Sequence, residues 1–137
     1  LFKMGSHFLL KPLTFMNLSG RSILNVKNFY KIDEVIVIHD DLDLPLGALR
    51  FKRGGGRRGH NGLNSTDAAI SPAYIRVRMG IGKPEHKSQV ADYVLHSFGS
   101  DEQKKLADWI GKAADAVEML LQNSCSDVAA KCSLKGL

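Results

Sequence analysis

The sequence predicts an α/β fold: a single-domain layered structure with a twisted, mostly mixed sheet flanked by helices. Segments with strand-like alternation or β-branched runs recur between segments whose apolar residues have helical spacing. A length of 137 residues fits one domain, and 44% hydrophobic with 24% charged residues is typical of a globular protein. We therefore expect residues 1–137 to form one domain.

The first half of the chain supplies two predicted strands and a helix. Residues 7–10 form a short apolar run that indicates a strand. Asn17 or Ser19 can cap a helix whose apolar residues continue to about residue 30. Residues 35–38 are a continuous β-branched run, which is typical of a strand buried on both faces. His39 and Asp40 would then lie just past its carboxyl end, where open α/β sheets bind ligands.

The second half begins with two strands around a helix. Residues 48–52 alternate and lead into a glycine-rich segment, and residues 62–70 have the spacing of a modest helix. Residues 74–79 alternate arginine with apolar residues, which predicts a strand with one solvated face.

The C-terminal part is predicted to be helical. A short amphipathic helix is expected over residues 90–98, and residues 100–103 form a capping box that opens the clearest helix of the chain. Cys125 and Cys132 are seven residues apart, so we expect free, partly buried thiols on one helix face and a reducing, cytoplasmic location. The apolar face of the long helix contains Leu106, Trp109, Ile110, Ala113, Val117, Leu120 and Leu121.

Positive charge is concentrated in the middle of the chain. The net charge is +5, and residues 44–87 alone carry nine basic and two acidic side chains. A segment this basic fits a polyanionic partner such as a nucleic acid, although a solvated basic face is the alternative. No apolar run approaches the roughly 20 residues that span a bilayer, so no membrane partner is expected.

The glycine-rich segment at residues 54–62, GGGRRGHNG, is the most distinctive of the sequence. Glycine lets the backbone adopt positive φ and approach a ligand closely, and its exposed N–H groups can face an anion. A helix that begins at or just after Asn61 would add the positive end of its dipole. A simple connector between two strands is the alternative interpretation.

Four segments in fixed order carry a resemblance to a known family. They are KPLTFMNLSG at 11–20, VIHDDLDLP at 37–45, the glycine-rich segment and RVRMGIG at 76–82. Together they resemble bacterial-type peptidyl-tRNA hydrolase, and four ordered motifs are more specific than one. The resemblance implies hydrolysis of the ester bond between a peptide and the 3′ end of tRNA. It also implies peptidyl-tRNA as partner, no cofactor, no obligate protein partner and a monomeric state.

The resemblance also implies roles for individual residues. Asp40 corresponds to an aspartate that supports a base histidine; capping a turn is its alternative role. Asn17 corresponds to a substrate-binding asparagine, with a helix cap as the alternative, and Phe15 to an aromatic residue at the tRNA end, with core packing as the alternative. Asn61 is a substrate or oxyanion donor, and His60 beside it has a substrate or a structural role.

Basic residues in the middle of the chain correspond to phosphate contacts. Arg50, Lys52 and Arg78 match positions that the family uses on tRNA phosphates. Asp41 and Asp43 are expected to be turn residues with solvated charge, and no metal is expected because adjacent strand residues point apart.

The base histidine of the family has no counterpart in this sequence. Its Asn-Pro-Gly turn and its Thr-Arg-His-Asn motif are not found. We therefore expect an N-terminal catalytic segment to be missing and activity of residues 1–137 alone to be doubtful. A non-catalytic tRNA- or RNA-binding module is the alternative function.

Overall fold

The computed structural model describes residues 1–55, 60–83 and 100–136. The helix predicted over residues 90–98 lies outside these ranges. The chain divides into two compact units, and the single-domain expectation stays a prediction. Unit 1 comprises Leu1–Val35 with Gly54–Tyr74, and unit 2 comprises Ile36–Arg53 with Ile75–Leu137.

In unit 1, the described residues form a hairpin, a 3₁₀ turn and two helices. The hairpin turns at Gly5, whose φ of 60° favours glycine, and its second strand confirms the strand predicted at residues 7–10. The second helix confirms the helix predicted over residues 62–70. The elements in chain order are β1 (Phe2–Met4), β2 (His7–Leu9), the 3₁₀ turn (Met16–Leu18), α1 (Ser19–Phe29) and α2 (Asn61–Ile70).

The start of α1 differs from the prediction that Asn17 or Ser19 caps it. The N-cap residue is Leu18, and no side chain makes a capping hydrogen bond there. Asn17 lies inside the 3₁₀ turn, while the Ser19 hydroxyl donates to the Met16 carbonyl oxygen at 2.8 Å. The 3₁₀ turn runs directly into the helix, so carbonyl oxygens of the turn accept from N–H groups that a cap side chain would otherwise bind.

The two helices of unit 1 approach each other closely at Gly20. Its N–H donates to the Ser65 hydroxyl at 2.8 Å. A Cβ at this position would overlap the Ser65 carbonyl oxygen, so only glycine permits the contact between α1 and α2.

The described part of unit 2 contains a three-stranded sheet and two helices. The strand order is β3-β5-β4, with β3 parallel and β4 antiparallel to the central β5. This mixed sheet confirms the predicted α/β fold class. The elements are β3 (Ile36–Asp41), β4 (Leu49–Arg53), β5 (Ile75–Gly80), α3 (Ser100–Leu120) and α4 (Cys125–Cys132).

The core of unit 2 lies between one face of the sheet and the helices α3 and α4. Alternate residues of β4 and β5 supply the sheet side, because successive strand residues point to opposite faces. None of the described helices is long and apolar enough to cross a membrane. The buried cluster comprises Leu49, Phe51, Ile75, Val77, Ala113, Ala116, Leu120 and Val128.

Two predicted burial patterns in the sheet are wrong. β3 is an edge strand among the described residues, so Ile38 is 51% exposed instead of buried on both faces. β3 also continues to Asp41, which places His39 and Asp40 inside the strand. In β5 the face predicted to be solvated contains Arg76, which is only 2% exposed, because β5 is the central strand.

The C-terminal helices largely follow the prediction. Trp109, Ala113 and Leu120 are buried in or beside the core, whereas Ile110 is exposed, so the apolar face of α3 is narrower than expected. Cys125 and Cys132 are free and half-buried on α4, as predicted.

Two glycines provide a matched test of this packing. Gly20→Ala should lower the free energy of unfolding by about 1–3 kcal/mol, because the new methyl group overlaps the Ser65 carbonyl. Gly111→Ala should raise it by about 0.5–1 kcal/mol, because Gly111 lies inside α3 with no atom near its added Cβ. Urea unfolding of both variants measures the difference, and equal effects would contradict the described packing of α1 on α2.

Candidate functional site

The 3₁₀ turn of unit 1 lies against the start of α2. A Cβ added to Gly62 would be 2.7 Å from Met16 Sδ and 3.0 Å from His60 Cε1. Glycine at this position therefore lets the Met16 side chain and the His60 ring both approach the first turn of the helix. The contact brings the 3₁₀ turn, which carries Asn17, next to the residues at the start of α2.

His60 is the N-cap residue of α2. Its backbone is extended, with φ of −69° and ψ of 115°, and its Nδ1 accepts a hydrogen bond from the Leu63 N–H at 3.2 Å. Its carbonyl oxygen accepts from the Asn64 N–H at 2.9 Å. Because Nδ1 accepts, the proton of the neutral ring is on Nε2. In this tautomer the ring N–H of His60 is at Nε2, and no nitrogen lone pair is left for a general base.

Asn61 is the first residue of α2, where a helix attracts negative charge. Helix N–H groups in the first turn have no carbonyl partner within the helix. The N–H groups of Asn61 and Gly62 form no hydrogen bond with any residue that the structure describes. The Asn61 side chain is exposed beside them, so backbone and carboxamide donors are available together at the positive end of the helix dipole.

Two predicted residues on or next to the 3₁₀ turn are open to solvent. Phe15 is 82% exposed, so the alternative that it packs in the core is wrong. Asn17 is exposed and its carboxamide bonds to none of the described residues, so the alternative that it caps a helix is also wrong. The structure thus brings four predicted residues, Phe15, Asn17, His60 and Asn61, to the 3₁₀ turn and the start of α2.

The acidic residues at the end of β3 are in unit 2. Asp40 is paired with Met79 in the ladder, so its side chain is on the sheet face that carries the core. Asp41 is on the other face, where its Oδ2 accepts from Arg78 Nε at 2.8 Å. Asp41 Oδ1 accepts from the Asp43 N–H at 2.8 Å, as expected for a turn residue.

The predicted solvated charge of these turn acids is wrong. The side chain of Asp41 is only 11% exposed and forms an ion pair, and Asp43 Oδ1 lies 2.7 Å from Lys83 Nζ. The prediction rested on residue type alone, because aspartates in turns commonly have solvated carboxylates. The strand pairing could have indicated the ion pair, because Arg78 lies two residues before Gly80, the partner of Asp41, and residues two positions apart share a face.

The predicted phosphate contacts lie on one face of the sheet. Arg50 is directly opposite Arg78, and Lys52 is directly opposite Arg76. The Arg50 guanidinium donates to the carbonyl oxygens of Leu49 and Leu134, so it is partly occupied within the protein. Like charges opposite each other destabilise a ladder, so these cation pairs favour contacts with anions such as that of Arg78 with Asp41.

Comparison with known proteins identifies the family. A family model described as peptidyl-tRNA hydrolase matches residues 2–136.

The chain belongs to the peptidyl-tRNA hydrolase family.

Individual family members agree with this assignment. A peptidyl-tRNA hydrolase of Sulfurimonas denitrificans is 65% identical over 98% of this chain and 73% of its own length. One from Sulfurovum sp. is 55% identical over the whole of this chain and 74% of its own length. The crystal structure of peptidyl-tRNA hydrolase from Acinetobacter baumannii is similar with a TM-score of 0.80 and 34% identity. That similarity covers 91% of this chain and 65% of the Acinetobacter chain, slightly less than two thirds.

Membership of the peptidyl-tRNA hydrolase family agrees with the predicted class, hydrolases, and with a role in translation. The match begins at residue 2, so it gives no support to the expectation that an N-terminal catalytic segment is missing. Nor does it support doubt about activity or favour a non-catalytic RNA-binding module. The monomeric state, the cytoplasmic location and the individual site residues remain predictions.

Substitution of His60 separates its capping role from any other role. His60→Ala removes the acceptor for the Leu63 N–H and should lower the free energy of unfolding by about 1 kcal/mol. His60→Asn should stay close to the unsubstituted protein, because asparagine is among the best N-cap residues. Urea unfolding measures both. Equal destabilisation by the two variants would show that capping is not what His60 contributes.

Proposed function

We propose that this protein hydrolyses the ester bond that joins a peptide to the 3′ end of tRNA. The observation that carries the proposal is the start of α2, where donors of His60 and Asn61 lie beside the 3₁₀ turn that carries Asn17. The family match supports the same activity.

Ester hydrolysis concentrates negative charge on the former carbonyl oxygen. Water adds to the ester carbonyl carbon, and collapse of the tetrahedral intermediate releases the peptide carboxylate and the ribose hydroxyl of the tRNA. Donors aimed at the developing oxyanion lower the barrier more than they stabilise the ground state. We propose that the Asn61 carboxamide, the free N–H groups of the first turn of α2 and the Nε2–H of His60 are these donors.

The 3₁₀ turn supplies groups suited to the two parts of the substrate. The Asn17 carboxamide can donate to a peptide carbonyl and accept from a peptide N–H. An exposed aromatic ring such as Phe15 can stack on a base of the single-stranded 3′ end, which is typical of single-strand recognition. We propose that Asn17 holds the peptide and Phe15 holds the tRNA end.

The water needs a base, and His60 does not suit that role because its Nδ1 caps α2. We propose that Asp40 supports a base histidine, holding its tautomer and stabilising the imidazolium that forms. Arg50, Lys52 and Arg78 are proposed to bind tRNA phosphates. Lys52 is exposed and has no ion pair among the described residues, so it is the most available of the three.

Turnover of N-blocked aminoacyl-tRNA tests the proposal. Asp40→Asn should lower kcat much more than it changes KM, because asparagine keeps the shape but loses the charge that stabilises an imidazolium. An orienting carboxylate can contribute up to about 10⁴-fold to a rate, and a looser pair should give less. Asp115→Asn, which removes an exposed carboxylate of α3, is the matched control and should leave both constants unchanged.

The same assay distinguishes the roles of His60. His60→Asn keeps the helix cap, so it should reduce kcat only to the extent that one oxyanion donor is lost. Complete loss of turnover in His60→Asn would make His60 the base and contradict the assignment from the cap. A protein that binds tRNA but cleaves no ester would be the non-catalytic RNA-binding module.

A further inference from the structure

Arg78 uses only part of its guanidinium group within the protein. Its Nε donates to Asp41 Oδ2 at 2.8 Å, and the side chains are 22% and 11% exposed. The two terminal Nη groups bond to no residue that the structure describes. Each Nη group carries two N–H donors, so the outer edge of the guanidinium group has its donors available for an anion.

Asp41 is held from its other side by the backbone. Its Oδ1 accepts from the Asp43 N–H at 2.8 Å, and it is the last residue of β3. Because one carboxylate oxygen is fixed by the turn, the other has a defined position. A side-on contact at Nε then sets the direction of the planar guanidinium group.

A carboxylate beside a cation has two opposite effects on polyanion binding. It cancels positive charge, which weakens the attraction to tRNA. It also orders the cation beforehand, which reduces the cost of immobilising a long side chain on binding. Arg50 stands directly opposite Arg78, and repulsion between the two would otherwise turn Arg78 away.

We infer that Asp41 is a positioning residue that orients Arg78 for bidentate contact with one phosphate group of tRNA. The inference rests on the tRNA binding proposed above. The planar fork of arginine matches the geometry of phosphate oxygens, and the Nε contact leaves that fork open. The two effects of Asp41 on tRNA affinity have opposite signs. Removal of its charge should weaken binding if Asp41 orients Arg78, and strengthen binding if Asp41 only cancels charge.

Binding of labelled deacylated tRNA, followed by fluorescence anisotropy over a series of salt concentrations, tests the inference. Asp41→Asn keeps an oxygen acceptor for the Asp43 N–H but loses the charge that holds Arg78. It should weaken binding even though the protein becomes more positive, and the salt slope should fall by about one phosphate contact. Lys52→Ala is a positive control that should lower the slope by a similar amount.

Asp43→Asn is the matched control for charge. It makes the same change in net charge two residues away, but the partner of Asp43 is Lys83. This variant should bind tRNA as tightly as the unsubstituted protein or more tightly. Weaker binding after Asp43→Asn equal to that after Asp41→Asn would overturn the inference, and so would tighter binding after Asp41→Asn.

A second background tests whether Asp41 acts through Arg78. Arg78→Lys keeps the charge, but an ammonium group cannot contact Asp41 side-on and leave a planar fork for phosphate. In this background Asp41→Asn should weaken binding no further; an undiminished loss would overturn the inference. Urea unfolding is measured for each variant, and a loss of affinity that follows a loss of folded protein would make Asp41 merely structural.

Turnover separates this inference from the proposed hydrolysis. Asp41→Asn should raise KM and leave kcat unchanged, because Arg78 is proposed to bind tRNA and not the reacting ester. The expected binding pattern without any ester cleavage would refute the hydrolase proposal and leave the role of Asp41 supported. Normal turnover of Asp41→Asn together with an unchanged salt slope would refute the role of Asp41 and leave the hydrolase proposal supported.

Discussion

The first turn of α2 depends on the hydrogen bond from the Leu63 N–H to His60 Nδ1. That bond fixes where the helix begins, which way the His60 ring faces and which ring nitrogen carries the proton. Gly62 is next to it, and a Cβ added there would press on the Met16 side chain and the His60 ring. The lack of a side chain at this position lets the 3₁₀ turn with Asn17 pack closely on the helix start.

A histidine cap changes how the motif Gly59-His60-Asn61 is understood. The sequence leaves two roles open for His60, one in substrate binding and one in structure. With Nδ1 occupied by the helix, His60 contributes a donor at Nε2, which joins the Asn61 carboxamide and the free N–H groups of the first turn. All of these groups can stabilise negative charge, which fits the oxyanion site proposed at the start of α2 and the proposal that another residue is the base.

In unit 2, too, neighbouring groups constrain functional side chains, here the arginines of β4 and β5. Arg50 and Arg78, which face each other across β4 and β5, would repel, and each is compensated by a different partner. Arg50 donates to backbone carbonyl oxygens, and Arg78 is held by Asp41. These compensations use only part of each guanidinium group, which fits a surface that orders its cations before it meets a polyanion.

Much of the fold could be predicted because local pattern and final structure agree. The alternation of residues 48–52 and the apolar spacing of α2 and α3 each determined an element. The edge position of β3 among the described strands could not be predicted, because strand order depends on pairing between distant segments. The central position of β5, which contains the buried Arg76, depends on the same pairing. The motifs predicted site roles for Asn17, His60 and Asn61, and these roles stay predictions. The tautomer of His60 and the ion pair of Asp41 depend on distances that only the folded chain defines.

The protonation of the His60 ring tests this account most directly. Long-range ¹H–¹⁵N NMR correlations, recorded with the imidazole rings uncharged and assigned by comparison with His60→Asn, distinguish the two ring nitrogens of His60. The account predicts that Nδ1 carries no proton and Nε2 carries one, because Nδ1 accepts from the Leu63 N–H. A proton on Nδ1 would contradict it, since the ring could then neither cap α2 nor present a donor at Nε2 to the substrate.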